Sequence, residues 1–172
     1  ISAFTNIAPE ENGKTFTENA LIKARNANKI SGLSSIADDS GLCINALNGK
    51  PGIFSSRWAG KNNNFYGAMD IIEKKLENEK NKTAYFICVL AIVLNTNQEF
   101  TFIGKTHGSL VFPPKGRRGF GYDPIFVPNK QILTFGQMSP DKKDLISHRF
   151  EAYKKMKETF CCLLYTSDAA DE

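Results

Sequence analysis

The stretch TAYFICVLAIVLN, Thr83 to Asn95, and the stretch EFTFIGKTHGSLVF, Glu99 to Phe112, decide the fold class. Both are rich in Phe, Tyr, Ile, Val and Thr, residues that suit a pleated, half-buried surface. Asn95-Thr96-Asn97 lies between them, and a short polar link joining two strand runs predicts a long antiparallel hairpin. The apolar run Tyr85 to Leu94 is well short of the roughly 20 residues that a membrane-crossing helix needs, and suits a buried strand.

Working outward, helical signals alternate irregularly with strand signals. Thr15-Phe16-Thr17-Glu18 is a capping-box pattern, in which the Thr15 hydroxyl accepts from the Glu18 N–H and the Glu18 side chain reaches back. Ala20, Leu21, Ala24, Ala27 and Ile30 follow at helical spacing, and Gly32 closes the helix. Ser35 to Asp38 predicts a short strand entering an acidic turn, and Gly41 to Leu47 a second strand before the Asn48-Gly49 turn signal. Pro51 to Gly60 reads as an irregular loop and Asn62 to Lys80 as an amphipathic helix through Phe65, Met69, Ile72 and Leu76. After the Pro- and Gly-rich connection Pro113 to Pro124 comes a strand at Ile125-Phe126-Val127. Ser139-Pro140 is an N-cap with Pro at the first helical position, opening a helix expected to reach Phe160. Without regular βαβ alternation, this order predicts an α/β domain with a mixed, partly antiparallel sheet.

The chain has 172 residues, 41% hydrophobic and 23% charged, enough for one domain with a sizeable core. Its formal charge is +4 with Lys and Arg interleaved among acids, so it lacks the basic stripe of a nucleic-acid binder and is better suited to a small polyanion. No secretory signal or membrane span is visible, and a cytoplasmic location is the expectation. Cys43 and Cys88 stand in apolar strand contexts with no CxxC or Cys/His cluster, as free thiols in a reducing compartment. The final segment, 161–172, is discontinuous with the Lys-rich helix before it and resembles a translated sequencing adaptor. It is set apart as a non-native tail, leaving one domain over 1–160.

Three segments carry candidate chemistry. Asp38-Asp39-Ser40-Gly41 offers adjacent carboxylates, a small hydroxyl and a glycine, a pattern that suits Mg²⁺, which takes oxygen ligands from one or two carboxylates plus substrate phosphates. Side chains alternate along a strand, so one carboxylate faces the metal and the other supports the turn; the same residues also read as an Asp-rich turn. Gly119-Phe120-Gly121-Tyr122-Asp123-Pro124 places an aromatic between glycines, able to stack on a base or to pack in the core. Ser147-His148-Arg149 with Lys143 upstream reads either as a solvated basic face or as a reader of an oxygen acceptor, since Lys and Arg only donate. Lys23, on the first helix, can present a compact positive charge to phosphate.

Read together, these segments resemble the inosine triphosphate pyrophosphatase family, the Ham1-like or RdgB-like pyrophosphatases of non-standard purine nucleotides. The resemblance rests on Thr15 to Ala20 with Lys23-Ala24, Ala37 to Leu42, Gly49 to Ile53 with Ser55 to Gly60, Gly119 to Phe126, and Thr134-Phe135 through Met138-Ser139-Pro140 to Arg149. It implies Mg²⁺-dependent cleavage of ITP, dITP or XTP between the α- and β-phosphates, giving the monophosphate and pyrophosphate. It implies Asp39 as the catalytic carboxylate and metal ligand, with Glu11 as second metal carboxylate and Glu18 as the competing choice. Lys23 and Ser40 would contact phosphate or substrate; Phe120, Gly121, Tyr122 and Asp123 would form the base loop; Lys143, His148 and Arg149 would complete 6-oxo purine recognition. The implied fold is mixed α/β with an elongated central sheet between two lobes, assembled as a homodimer; from the charge pattern and the short apolar runs, no nucleic-acid or membrane partner is expected.

Members of this family open with a strand and a Thr/Ser-Gly-Asn-x-x-Lys loop around the triphosphate, and nothing like it precedes Ile1. The expectation is therefore a chain lacking its first strand, weakly active or inactive as given. A Maf-like nucleotide pyrophosphatase and a non-catalytic nucleotide-binding fragment are the alternatives.

Overall fold

A computed structural model describes residues 9–168, with side chains as far as Cys161. Ile1 and the last four residues of the tail set apart above lie outside the described residues. Helix α1 (Phe16–Ser31) begins where expected: the Thr15 hydroxyl accepts from the Glu18 N–H at 3.1 Å. The reciprocal half of the capping box is displaced by one residue, because Glu18 Oε2 accepts from the Lys14 N–H at 2.5 Å rather than from Thr15. Gly32 closes the helix with φ 69°, in the left-handed region that glycine enters without steric cost.

The sheet runs in the order β1 (Ser35–Ile44), β2 (Thr83–Val93), β3 (Glu99–Leu110), β4 (Phe126–Pro128). β2 and β3 form the expected hairpin, closed by the Leu94 N–H to Gln98 O bond at 2.9 Å, with Asn97 at φ 64°. β4 pairs antiparallel to β3 from Gly108↔Pro128 to Leu110↔Phe126. Gly108 has to be glycine, since a Cβ there would sit 2.2 Å from the Val127 carbonyl oxygen. Among the described residues the fold is mixed α/β around an antiparallel four-stranded sheet.

Several local expectations are corrected. The two short strands expected on either side of an acidic turn are one continuous strand, β1, with Asp38 to Gly41 in its middle. The Asn48-Gly49 turn exists, both residues having positive φ, but it closes a single Cys43↔Pro51 bridge after a 3₁₀ turn rather than a full hairpin. The last helix is broken into α4 (Pro140–Asp144) and α5 (His148–Asp168), because the Ile146 carbonyl accepts from Thr106 Oγ1 at 2.9 Å instead of continuing the helical ladder. α5 passes Phe160, where the sequence reading ended it; Cys, Leu and Thr beyond that point hold no Pro or Gly to stop a helix. The loop expected at Pro51 to Gly60 includes the short helix α2 (Ser55–Trp58), and the amphipathic helix is α3 (Phe65–Lys75), shorter than Asn62 to Lys80 and capped by the Asn64 side chain.

The chain divides into two compact units, one of residues 1–39, 88–104 and 149–172, the other of 40–87 and 105–148. In the first, the alternation of β2 feeds two apolar clusters: Val89, Ala91 and Val93 meet Ala20 and Ala24 of α1, while Cys88 and Leu90 meet Phe102 and Ala152 of α5. The second holds one larger core around Leu42, Ile44, Met69, Phe86, Phe126 and Phe135. Cys43 and Cys88 are buried free thiols, as expected. Among the described residues no helix is long and apolar enough to cross a membrane.

Replacing Thr15 by Ala removes the side-chain acceptor of α1 and is expected to cost about 1 kcal/mol, lowering Tm by about 2–4 °C for a chain of this size. Thermal denaturation reads it, and an unchanged Tm removes the cap from the account.

Candidate active site

In the first unit the charged residues are gathered by α1 and β1. Asn19 and Lys23 are one helical turn apart and share a face. Lys23 Nζ lies 2.9 Å from Asp39 Oδ1 and 3.1 Å from Glu11 Oε1, so one ammonium joins the two carboxylates. Asn19, wholly buried, donates from Nδ2 to Asp39 Oδ2 at 3.4 Å. Asp39 is only 7% exposed. Burial pushes its carboxyl above the ordinary 3.8, the Lys23 ammonium opposes that rise, and the nearby Glu11 charge adds to it. Desolvation works against the Lys23 ammonium, yet its two carboxylate partners prevail and hold it above its ordinary 10.5.

Asp38 points to the other side of the strand, as alternation requires. Its Oδ2 accepts from Arg149 Nη2 at 2.7 Å, with the Cys88 thiol 3.8 Å from the same oxygen. Desolvation opposes the Arg149 charge, and the Asp38 carboxylate outweighs it, so the guanidinium is held above its ordinary value. The adjacent carboxylates therefore have different cationic partners.

In the second unit the glycine loop is built on Asp123, which is 1% exposed. Its Oδ2 accepts from the Phe120 N–H at 2.8 Å and from Lys143 Nζ at 2.5 Å. Gly119, at φ 76°, leaves that oxygen its space: a Cβ would come within 1.9 Å of it. Lys143, fixed in this way, lies 4.3 Å from the centroid of the Phe120 ring, which remains 59% exposed. Gly121 takes the following left-handed position at φ 61°. Tyr122 turns inward instead: it is 2% exposed, meets Phe65 edge-on, and donates from its hydroxyl to Ser55 O at 2.8 Å. Burial pushes its phenol up. His148 is buried and stacked on Phe86, ring centroids 5.0 Å apart and planes 15° from parallel. Ser40 is half-buried on β1.

Thus Glu11, Lys23 and Asp39 form one cluster and Phe120, Asp123 and Lys143 another, while Tyr122 and His148 are packed inside. Glu18, the competing carboxylate, is engaged at the start of α1 by Lys14. Asn19 and Ser55 were given no role in the sequence reading. The i, i+4 spacing of Asn19 to Lys23 was a signal for the first; for Ser55, whose hydroxyl accepts from the Leu42 N–H at 2.9 Å, no local signal exists. Among the described residues no three of His, Cys, Asp or Glu gather as a metal site. The two carboxylates sharing Lys23 are nonetheless the number Mg²⁺ commonly takes from protein, with phosphate oxygens and water supplying the remainder, and the bridging ammonium shows that this pair attracts a cation.

The Ham1 family matches residues 1–159. The chain belongs to the Ham1 family. A dITP/XTP pyrophosphatase of Caulobacter vibrioides is 50% identical over 151 residues, 87% of this chain and 78% of that protein. One of Rhodospirillum centenum is 43% identical, covering 86% of this chain and 74% of that protein. The solved Ham1 protein of Staphylococcus aureus aligns with TM-score 0.85 at 38% identity, covering 90% of this chain and 81% of that one. That of Coxiella burnetii aligns at 0.86 and 41% identity, covering 93% and 83%. Ham1 membership is thus found for the chain, in place of the Maf-like alternative.

Two predictions follow from the charges. Because burial raises the Asp39 pKa in the fold, the folded chain holds that proton more tightly than the unfolded chain. Its contribution to stability is fully present below 3.8 and is lost as pH rises through the folded value. Asp39→Asn never ionises, so chemical denaturation at about pH 4 and about pH 7 should show the parent losing stability relative to the variant toward pH 7; a flat or opposite difference overturns the assignment. Lys143→Met takes the ammonium from a carboxylate that is 1% exposed, and is expected to cost about 3–5 kcal/mol in urea melts.

Proposed function

We propose that this chain hydrolyses deaminated purine nucleoside triphosphates, ITP, dITP and XTP, to the monophosphate and pyrophosphate, with Mg²⁺ as cofactor. The chain is a hydrolase acting on nucleoside triphosphates. The observation that carries the finer reading is Asp39: a nearly buried carboxylate, gripped at both oxygens and joined through Lys23 to a second carboxylate. Burial makes it a better base than an ordinary aspartate.

In this reading Asp39 accepts the proton of a water attacking the α-phosphorus. The bond from that phosphorus to the bridging oxygen breaks and pyrophosphate leaves. Asp39 and Glu11 would hold Mg²⁺, which supplies neutralisation of phosphate charge. Lys23 contacts phosphate and Ser40 contacts the substrate. Phe120, exposed and flanked by two glycines with positive φ, stacks on the base, with Gly121 allowing close approach. Asp123 keeps Lys143 and the Phe120 backbone in place. Lys143 and Arg149 carry donors without acceptors, and with His148 they favour a purine bearing oxygen at C6 over the amino group of adenine. Tyr122 supports the loop from the core. The homodimer implied by the resemblance and the cytoplasmic location expected from the sequence belong to this same proposal.

Pyrophosphate release is measured with dITP, XTP, dATP and dGTP. Faster release from dITP and XTP than from dATP is expected. dGTP shares the 6-oxo group and carries a 2-amino group, so it separates recognition at C6 from fit at C2. Asp39→Asn should lower kcat by about 10²–10⁴-fold, and activity unchanged in that variant defeats the mechanism. Phe120→Ala should weaken nucleotide binding by about 1–3 kcal/mol, seen as a raised KM.

A further inference from the structure

Two bridges run from one face of α1 to Asp39, and they differ in charge. Lys23 ties Asp39 Oδ1 to Glu11. One turn earlier, Asn19 ties Asp39 Oδ2 to the same loop two residues further on: its Oδ1 accepts from the Gly13 N–H at 2.9 Å and its Nδ2 donates to Asp39 at 3.4 Å. The second distance is at the long end for a hydrogen bond, so this bridge acts by orienting the carboxylate more than by its strength. The loop lies against the helix only because residue 13 is glycine. A Cβ there would come 2.6 Å from Asn19 Oδ1 and 2.7 Å from Glu18 Cβ.

The charged bridge is conditional. A divalent cation held by Asp39 and Glu11 would compete with the Lys23 ammonium for both carboxylates and would loosen that tie. The neutral amide does not compete, because it donates to one Asp39 oxygen and accepts from backbone. Asn19 is 0% exposed, so its loss would leave the Asp39 oxygen without that donor and the part-buried Gly13 N–H without its acceptor.

We propose that Asn19 is a positioning residue for the divalent cation, keeping the Asp39 carboxylate and the Glu11 loop in a fixed relation whether or not Lys23 is engaged. This rests on the reading that Asp39 and Glu11 hold the cation. Residues that orient metal ligands typically change metal affinity by about 10–100-fold when removed.

Mn²⁺ is the probe, added alone to the full chain, with free Mn²⁺ followed by electron paramagnetic resonance and Tm measured in parallel. Asn19→Ala is expected to weaken Mn²⁺ binding by about 10–100-fold. Gly13→Ala, which displaces the Asn19 side chain without altering it, should weaken binding in the same direction. Thr15→Ala loosens the same helix start without touching Asp39, and should lower Tm while Mn²⁺ affinity stays at the parent value. Unchanged Mn²⁺ affinity in Asn19→Ala, with weakened binding in Asp39→Asn, overturns the role of Asn19 alone. Unchanged affinity in both overturns the metal reading and this inference with it. Equal weakening by Thr15→Ala reduces Asn19 to general support of the helix and likewise overturns the proposal.

Discussion

Placing the Asp39 carboxylate almost out of water, inside a strand, is unfavourable by itself, and its surroundings are organised around that cost. An isolated buried charge normally escapes by taking up a proton, and burial does move Asp39 in that direction. Lys23 and Asn19 limit the shift, each holding one oxygen. Their placement in turn demands a well-formed α1, because only helical spacing brings residues four apart onto one face. The small side chains Ala20 and Ala24 let that helix sit close against Val89, Ala91 and Val93. Burial, helix and sheet packing are thus one arrangement seen at three levels.

The second unit solves the same problem differently. Asp123 is more deeply buried than Asp39, and its Oδ2 accepts from both a backbone N–H and an ammonium. Such a pair contributes little net stability compared with an apolar replacement, but removing one partner is expensive. What it gains is geometry. Lys143 cannot leave the Phe120 ring without leaving the buried Asp123 carboxylate uncompensated, so the exposed aromatic and the buried lysine are held as a unit. Gly119 is required for the same reason: the oxygen that holds both groups fills the space of a side chain.

What the sequence revealed depended on how local the cause was. The Thr15 cap, the Gly32 stop and the Thr83-to-Phe112 hairpin depend on residues a few positions apart, and all are present. Asp38 to Gly41 read as a turn because Asp, Ser and Gly usually break strands. It stays extended because its carboxylates find partners 16 and 111 residues away, Lys23 and Arg149, which no local pattern reveals. The break before His148 has the same origin: Thr106 takes the Ile146 carbonyl and Phe86 takes the imidazole face, both from distant strands. Phe120 and Tyr122 were equivalent as neighbours in a glycine loop. Only the structure separates the exposed ring from the one buried against Phe65 and Ser55.

The two carboxylates at 38 and 39 show why adjacency in sequence is not equivalence in role. Strand alternation sends one to Lys23 and Asn19 in a nearly dry setting, the other to Arg149 with a third of its side chain exposed. In the proposed reaction, proton transfer falls to the first, because desolvation raises its basicity while its amide and ammonium partners fix its direction. Charge pairing favours the second, whose guanidinium partner stays protonated at any working pH. A single strand register therefore assigns both roles, and a shift by one residue would exchange them. That dependence on register explains why the strand has to run unbroken through Ser40 and Gly41, where a turn would free the two carboxylates to rotate toward the same side.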